Sequence, residues 1–580
     1  MFLNHDPFKF TLAQGLAAAI EKAFSINLST EKIYNLFANT PSKEAGDMAF
    51  PLFMVAKEAK TNPAMAAKSL ETHFQKPEFV LKVQALGPYL NFFLDFNFIG
   101  NKLIPQMLTG EYFSRQLTHQ TPRTMIEYSQ PNTHKELHVG HMRNLCLGDA
   151  LIKLHRYCGF DIVASTFPGD VGTHVAKCLW YLKFHHKGEV PPEHKGAWLG
   201  SMYSTAHNKL EEERGTPAEE KNREQLTMIL KQLEQKSGEF YNLWQETRQW
   251  SIQLMNEVYK WAGVHFDVWY WESEVDSASV KLAREYFEKG LFVEDQGCIG
   301  VDLSEWKLGF CMLIKTDGNG LYATKDIELA RRKFQDYQIE KNIYVVDKRQ
   351  EHHFKQVFKT LELMGYENAS KCYHLQYDFV ELPDGAMSSR KGNIVPLQAL
   401  IASMEQLIKE QYLTRSQNEW SQNEINTTAE IVARGAIKYG MTRIDPSKKI
   451  VFDMQEWLKL DGESGPYIQY AYARINSMLT KLGAPTGQTI EIKNNQEAEL
   501  IAQLMRFNQV VQEATEHYRP SILTAFLYDL ARVYNSFYAE CPVGSAPEPT
   551  RSSRLQISKA TALTIKQGLA LLGIESPERM

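Results

Sequence analysis

The sequence predicts a mixed α/β protein: a doubly wound parallel sheet at its centre, a smaller α/β unit before it and a long helical unit after it. Three observations predict this. The extended apolar run 124–128 breaks at Pro131-Asn132 and passes into helical periodicity from about Gly140 to Tyr157, a strand–loop–helix unit of the doubly wound kind. A second β-rich passage, Ile343-Tyr344-Val345-Val346, leads to a helix beginning near His352. Beyond about residue 400 the apolar spacing is helical to Met580.

Each element has its own signal. Residues 12–24 carry apolar side chains at helical spacing, and 83–96 are rich in aromatic and aliphatic residues that suit paired strands, so 1–105 reads as a self-contained α/β unit. In the central unit, 115–400, Leu145, Leu147, Ala150, Leu151 and Leu154 repeat on one helical face, and Gly159 stands where a cap is needed. Residues 190–260 are polar with helical periodicity and read as an inserted helical layer. Leu382-Pro383-Asp384-Gly385 reads as a turn. Residues 401–580 form the helical unit. No internal repeat or low-complexity tract appears.

Composition narrows the partners. The net charge of −5 carries no global basicity, so a nucleic-acid partner has to be held by local patches. Seven cysteines, without a CxxC pair, speak against a disulfide framework and a structural zinc site. The opening MFLNHDPFKF lacks a charged stretch followed by an apolar one, and no apolar run approaches the ~20 residues of a membrane span. A soluble cytoplasmic protein without a membrane partner is expected.

Two short segments carry the chemistry. His138-Val139-Gly140-His141 stands at the mouth of a helix that follows a strand, where free backbone N–H groups and the dipole favour an anion. Its histidines add donors toward the same phosphates, and Gly140 lets a flat base approach the backbone. Met387-Ser388-Ser389-Arg390-Lys391-Gly392 follows the turn, and Arg390 and Lys391 are suited to neutralise charge as an α-phosphate is attacked. Read alone, the first also fits two surface histidines and the second a solvated basic loop. Together, in this order, they fit a grip on a triphosphate from both sides.

At these residues the chain resembles the class I aminoacyl-tRNA synthetases, and within them the arginyl family. EYSQPNTHKELHVGHMRN is similar to that family's first signature and MSSRKG to its degenerate second one. Where the general second signature has a lysine before Met387 this chain has Ala386, and Lys135, in the loop before HVGH, stands where the family supplies the charge. GDMAFPLFMVAKEAKTNP and LGPYLNFF resemble the family's N-terminal additional domain; GESGPYIQYAYARINSML and the last 27 residues resemble its helical anticodon-binding domain. The resemblance implies a Rossmann-type, HUP-like catalytic domain between those two.

It further implies that Lys135, His138, His141, Arg390 and Lys391 are catalytic, and that His138, Gly140, His141, Met387, Ser388, Ser389 and Lys391 bind ATP. A site for arginine must answer a planar cation with five donors, which carboxylates and carbonyls can do. Tyr322 and Asp326 stand four apart, on one face of a helix. By resemblance these two face the guanidinium, with Glu127, Asn132 and Gln350 fixing the rest of the amino acid. Two positions depart from the pattern: Gln130 replaces a usual serine, and His174, in the glycine-rich run 169–172 and its sequel, a frequent glutamine; His174 is expected at the arginine site. Tyr89, Phe92 and Phe93 are candidates to stack on an unpaired base, and Tyr467, Gln469 and Arg474 to read or support the anticodon.

The implied reaction is activation of L-arginine by Mg2+–ATP and transfer to the terminal adenosine of its tRNA, by a monomer with no resident metal and no tightly bound cofactor. Three rivals are distinguishable. A class I synthetase for another amino acid lacks the paired carboxylates at 127 and 326; a small HxGH nucleotidyltransferase lacks so large a helical unit; a non-charging tRNA-binding paralogue has lost one signature.

Overall fold

A computed structural model describes residues 6–119, 121–382, 385–386, 396–414, 419–485, 487 and 489–580. The N-terminal unit sets an antiparallel sheet, β1 (Met48–Pro51), β2 (Val80–Leu86) and β3 (Tyr89–Leu94), in the order β1-β3-β2 beside the helices Pro7–Phe24 and Pro63–His73. The long helix starts earlier than its periodicity suggested because Asp6 caps it and Pro7 fills the first turn, where a missing N–H costs nothing.

The central sheet is five-stranded and parallel. It takes β4 (Thr124–Glu127), β5 (Ile162–Thr166) and β6 (Val268–Trp269). A small antiparallel sheet follows, β7 (Val293–Asp295), β8 (Cys298–Asp302) and β9 (Phe310–Ile314), and then β10 (Lys341–Asp347) and β11 (Cys372–Tyr377) return to the central one. The order β11-β10-β4-β5-β6 reverses between β4 and β10, and in such sheets ligands bind outside the carboxyl ends of the strands at that reversal. The insertion expected over 190–260 is three helices, Lys195–Glu212, Ala218–Glu234 and Glu239–Ala262.

The helix after β4, Val139–Cys158, ends on Gly159 at φ 94°, as its cap position required. Its packing differs from the one-faced pattern expected. It is buried on nearly every side, because the sheet covers one face while the helices Gln422–Thr442 and Phe507–Glu516 cover the other. Its polar residues Arg143, Asn144, Asp149 and His155 are therefore inside the protein and must be bonded there.

The N-terminal unit is not self-contained. Its last helix, Phe96–Thr109, runs across the expected boundary at 105, and its buried Ile99, Leu103, Ile104 and Met107 share one continuous core with Leu500, Ile501 and Leu555 of the C-terminal helices. Polar bonds follow the same seam: the Tyr112 hydroxyl donates to the Met505 carbonyl at 2.9 Å, and Asn101 and Ile490 exchange two bonds. A short parallel pairing, β12 (Val380–Leu382) with β14 (Ile450–Val451), joins the centre to the helical unit, and β13 (Gly385–Ala386) pairs antiparallel with β12; Pro383 and Asp384 of the expected turn lie outside the described residues.

Candidate active site

The loop from β4 to the signature helix is fixed before any ligand arrives. Ser129 and His134 hold left-handed backbone, φ 57° and 60°. The Ser129 N–H donates to Asn144 Oδ1 at 2.5 Å and the Thr133 N–H to the Gly169 carbonyl at 2.8 Å. The buried His134 ring lies between Thr133 Oγ1 and Thr247 Oγ1, and burial pushes its pKa down to about 3. Asn132 forms an isolated bridge with Gly169, where a side chain at 169 would collide with Asn132 Oδ1.

At the helix mouth His138 is the N-cap residue. Its Nδ1 accepts the Gly140 N–H at 3.1 Å, the Nδ1 of His141 accepts the His138 N–H at 3.1 Å, and the ring centroids are 4.0 Å apart. Burial, reinforced by the Lys135 charge, pushes His138 down to about 4; burial, with His138 and Lys135, holds His141 far below its usual value. Both rings are thus neutral at pH 7. With each Nδ1 accepting, the one proton of each ring sits on Nε2, so the pair offers two Nε2–H donors at the N-terminus of the helix. Lys135 lies over the Tyr203 ring, its ammonium 5.3 Å from the centroid.

The second signature, Met387, Ser388, Ser389, Arg390 and Lys391, lies outside the described residues. Its far flank lands on the first signature: Pro396 bridges His138, and the Leu397 N–H donates to the Leu137 carbonyl at 3.0 Å.

The acidic residues are placed unequally. Glu127, at the end of β4, is buried, and its Oε2 is taken by the wholly buried Lys333, whose ammonium also lies 4.3 Å from the Tyr344 ring centroid. Its Oε1 accepts Gln130 Nε2 at 3.2 Å. Asp326 is partly open, and its Oδ2 meets His353 Nε2 at 2.6 Å. Burial works against the charge on His353, but this bond and the Asp326 charge outweigh it and raise its pKa. Tyr322 opens the helix Tyr322–Tyr337 one turn before Asp326 and is 66% exposed, on the side of a cavity of about 220 Å³ that Trp244, Glu272, Asp276 and Lys325 also line. Gln350 is exposed just after β10, at the start of the helix Glu351–Leu363. His174 is buried, burial and Lys135 hold its pKa far down, and its Nε2 has no hydrogen-bond partner among the described residues.

Several residues here were missed in the sequence. Lys325 donates to Glu272 at 2.7 Å and pairs with Asp276 at 3.0 Å. Asp170, fully buried, accepts from Arg248 Nε at 2.7 Å and from the Ser273 N–H and hydroxyl at 2.9 and 2.7 Å, so it pins the loop after β5 to the insertion and to the next helix. No spacing rule links these positions. The charged side chains come from different elements, and the one legible hint was the Gly-Asp-Val-Gly turn.

Two tRNA candidates are corrected. Phe92 is fully buried against Phe37 and Phe74, so it is core strand and has no face left for a base. Gln469 is also fully buried, its Nε2 donating to the Ile431 and Glu575 carbonyls at 3.1 and 2.8 Å, so it ties helices together and cannot read a nucleotide. Tyr89 is 36% exposed and edge-on to the exposed Phe53; Phe93, half-buried, lies beneath Lys82. Tyr467 accepts Asn535 Nδ2 at 2.9 Å, and Arg474 is exposed over the Tyr538 ring.

Comparison with known proteins agrees with this architecture. The family model for the arginyl tRNA synthetase N-terminal domain matches residues 11–94, that for the class I (R) tRNA synthetase catalytic domain 103–454, and that for the DALR anticodon binding domain 468–580. The chain is 52% identical over 583 residues to an arginine–tRNA ligase of Bdellovibrio bacteriovorus, covering 100% of both, and 32% identical over 561 residues to that of Treponema denticola, covering 93% and 94%. Its fold superimposes on the Thermus thermophilus arginyl-tRNA synthetase with a TM-score of 0.80 at 27% identity, over 98% of this chain and 100% of that one. With a catalytic-domain model spanning more than half its length and relatives this similar end to end, the chain belongs to the arginine–tRNA ligase family of class I aminoacyl-tRNA synthetases.

Proposed function

We propose that the site activates L-arginine with ATP and then esterifies the terminal adenosine of its tRNA. An arginine carboxylate oxygen attacks the α-phosphorus in line, the bond to the bridging oxygen breaks, and pyrophosphate leaves. A ribose hydroxyl of the tRNA then attacks the arginyl carbonyl, and AMP departs. Magnesium enters with ATP as part of the substrate and neutralises phosphate charge.

The observation that carries this reading is the histidine pair. Two neutral rings with protons forced onto Nε2 are hydrogen-bond donors at a helix N-terminus, suited to oxygens whose charge grows in the transition state. Lys135 supplies a cation at the same mouth, and Arg390 and Lys391 act from the second signature. His138, Gly140, His141 and residues 387–391 hold ATP.

For arginine, Asp326 is the charged selector, with Tyr322 beside it; Glu127, already paired with Lys333, contributes Oε1 as an acceptor. Asn132, Gln350 and the unpartnered Nε2 of His174 fix the amino-acid end. Lysine lacks the guanidinium fork and citrulline its charge, so both leave acceptors unpaired. Tyr89 and Arg474 are the exposed candidates for tRNA contact. The chain works as a monomer in the cytoplasm, on three domains, 1–105, 115–400 and 401–580.

The test is pyrophosphate exchange with each amino acid, with and without tRNA. Of the amino acids only arginine should support exchange when tRNA is present, and failure of arginine to stimulate exchange in the presence of tRNA overturns the reading.

A further inference from the structure

Asp326, the residue proposed to select arginine, is itself held. Its Oδ2 meets His353 Nε2 at 2.6 Å, and among the described residues no other group is hydrogen-bonded to its carboxylate. A carboxylate oxygen at that distance needs an N–H, so His353 donates from Nε2 whether its ring is neutral or charged. A bond this short to an ionised acceptor is of the strong, charge-assisted kind. Both side chains keep an open edge, 18% for Asp326 and 23% for His353, so the pair lies where a ligand can reach it.

His353 is fixed in turn by its own helix. In Glu351–Leu363, His353, Val357 and Leu361 stand four apart and form one stripe. Val357 and Leu361 are buried in one cluster with Ala323, Ile327 and Ala330 of the helix Tyr322–Tyr337, so the two helices are locked along an apolar seam that the His353–Asp326 bond continues in polar form. The His353 ring also lies edge-on to the buried Phe354, with centroids 5.4 Å apart, and Phe354 packs on Tyr344 of β10. Gln350, proposed for the amino-acid end, is the N-cap residue of the same helix, and its side chain makes no capping bond. A carboxylate free to rotate offers its oxygens in many directions, whereas one tied through Oδ2 to a packed ring presents Oδ1 in one.

We propose that His353 is a positioning residue for arginine selection: it occupies Asp326 Oδ2 and thereby aims Oδ1 at the guanidinium. This rests on the reading that Asp326 meets that group. The guanidinium is remote from the reacting carboxylate of arginine, so losing this alignment weakens binding equally before and in the transition state, which raises KM and leaves kcat.

The test compares His353→Phe, which keeps a ring on Phe354 but has no donor, with His353→Gln, whose amide N–H can reach Asp326. Arginine KM, ATP KM and kcat are measured by tRNA-dependent pyrophosphate exchange, below each variant's melting temperature. His353→Phe should raise the arginine KM about 10-fold, as for loss of a hydrogen bond to a charged group, with kcat and ATP KM near those of the parent, and His353→Gln should restore most of it. In an Asp326→Asn background His353→Phe should add nothing, because the two act as one unit. An unchanged arginine KM in His353→Phe overturns the proposal, as do equal losses toward arginine and ATP, a His353→Gln no better than His353→Phe, or fully additive effects with Asp326→Asn. Should His353→Phe fail to fold, His353→Leu makes the same comparison. Asp326→Asn alone separates the two readings: if it leaves arginine kinetics intact, Asp326 is not the selector, whereas a damaged Asp326→Asn beside a silent His353→Phe removes the present proposal alone.

Discussion

Lys333 divides the labour of the two carboxylates proposed to meet arginine. Because Lys333 neutralises Glu127 in a fully buried pair, removing that carboxylate leaves an uncompensated cation inside the protein. Glu127→Gln should therefore cost about 3–5 kcal/mol of stability, read by denaturant unfolding. Asp326→Asn should hardly move the unfolding midpoint but lower kcat/KM for arginine on the order of 100-fold, with ATP KM near normal, as expected for truncating a charged contact worth about 2–4 kcal/mol. The opposite assignment of effects would sink the view that Asp326 is the selector. The buried histidines predict an acid limit. Burial pushes His134, His138 and His155 down to about 3, 4 and 4 in the folded protein, against 6.5 for an exposed imidazole, so the unfolded chain takes up protons first as pH falls. The stability they confer is complete above 6.5 and is lost as pH falls from 6.5 to about 4, and to about 3 for His134. For His155 the loss is roughly 3 kcal/mol. Unfolding free energy measured from pH 7.5 to 4.5 should fall over this window, and His155→Phe should flatten the fall.

Helix packing rests on close approach at one residue. Gly148 lies in the middle of the signature helix, and a Cβ there would stand 2.2 Å from the fully buried ring of Tyr128, at the exit of β4. Neither partner can give way, since the ring is wedged against Phe266 and the helix is covered on its far side. Gly148→Ala should cost about 3 kcal/mol, the upper end for overpacking, and should also slow ATP-dependent exchange because the same helix carries His138 and His141. A variant as stable as the parent by urea unfolding would contradict this. Helix existence and the Gly159 cap were legible because periodicity and capping are local. That the helix is enclosed was not, since the elements that cover it arrive some 280 and 360 residues later in the chain.

At the scale of the molecule, the N-terminal unit and the C-terminal helices share a core, so they should melt together. Calorimetry is expected to show one transition for both, and a chain lacking residues 6–95 should expose Ile99, Leu103, Ile104 and Met107 and become protease-sensitive in the helices 495–540. Independent transitions, with the C-terminal helices equally resistant in the shortened chain, would show that the seam carries little stability. With a net charge of −5, tRNA binding has to rest on local basic side chains, of which Arg474 is the proposed candidate, and should weaken as salt rises.

The sequence by itself determined the element types, the strand–loop–helix around HVGH, the helical insertion and the family, because these depend on short-range periodicity, caps and contiguous motifs. The tertiary structure decided which side chains are available. It committed Glu127 to Lys333, placed Phe92 and Gln469 in the core, forced the His138 and His141 protons onto Nε2, and made Arg143 a link between distant segments. The physical reason is the same in each case: burial and pairing are properties of neighbours brought from far along the chain, and a residue's spacing in sequence records none of them.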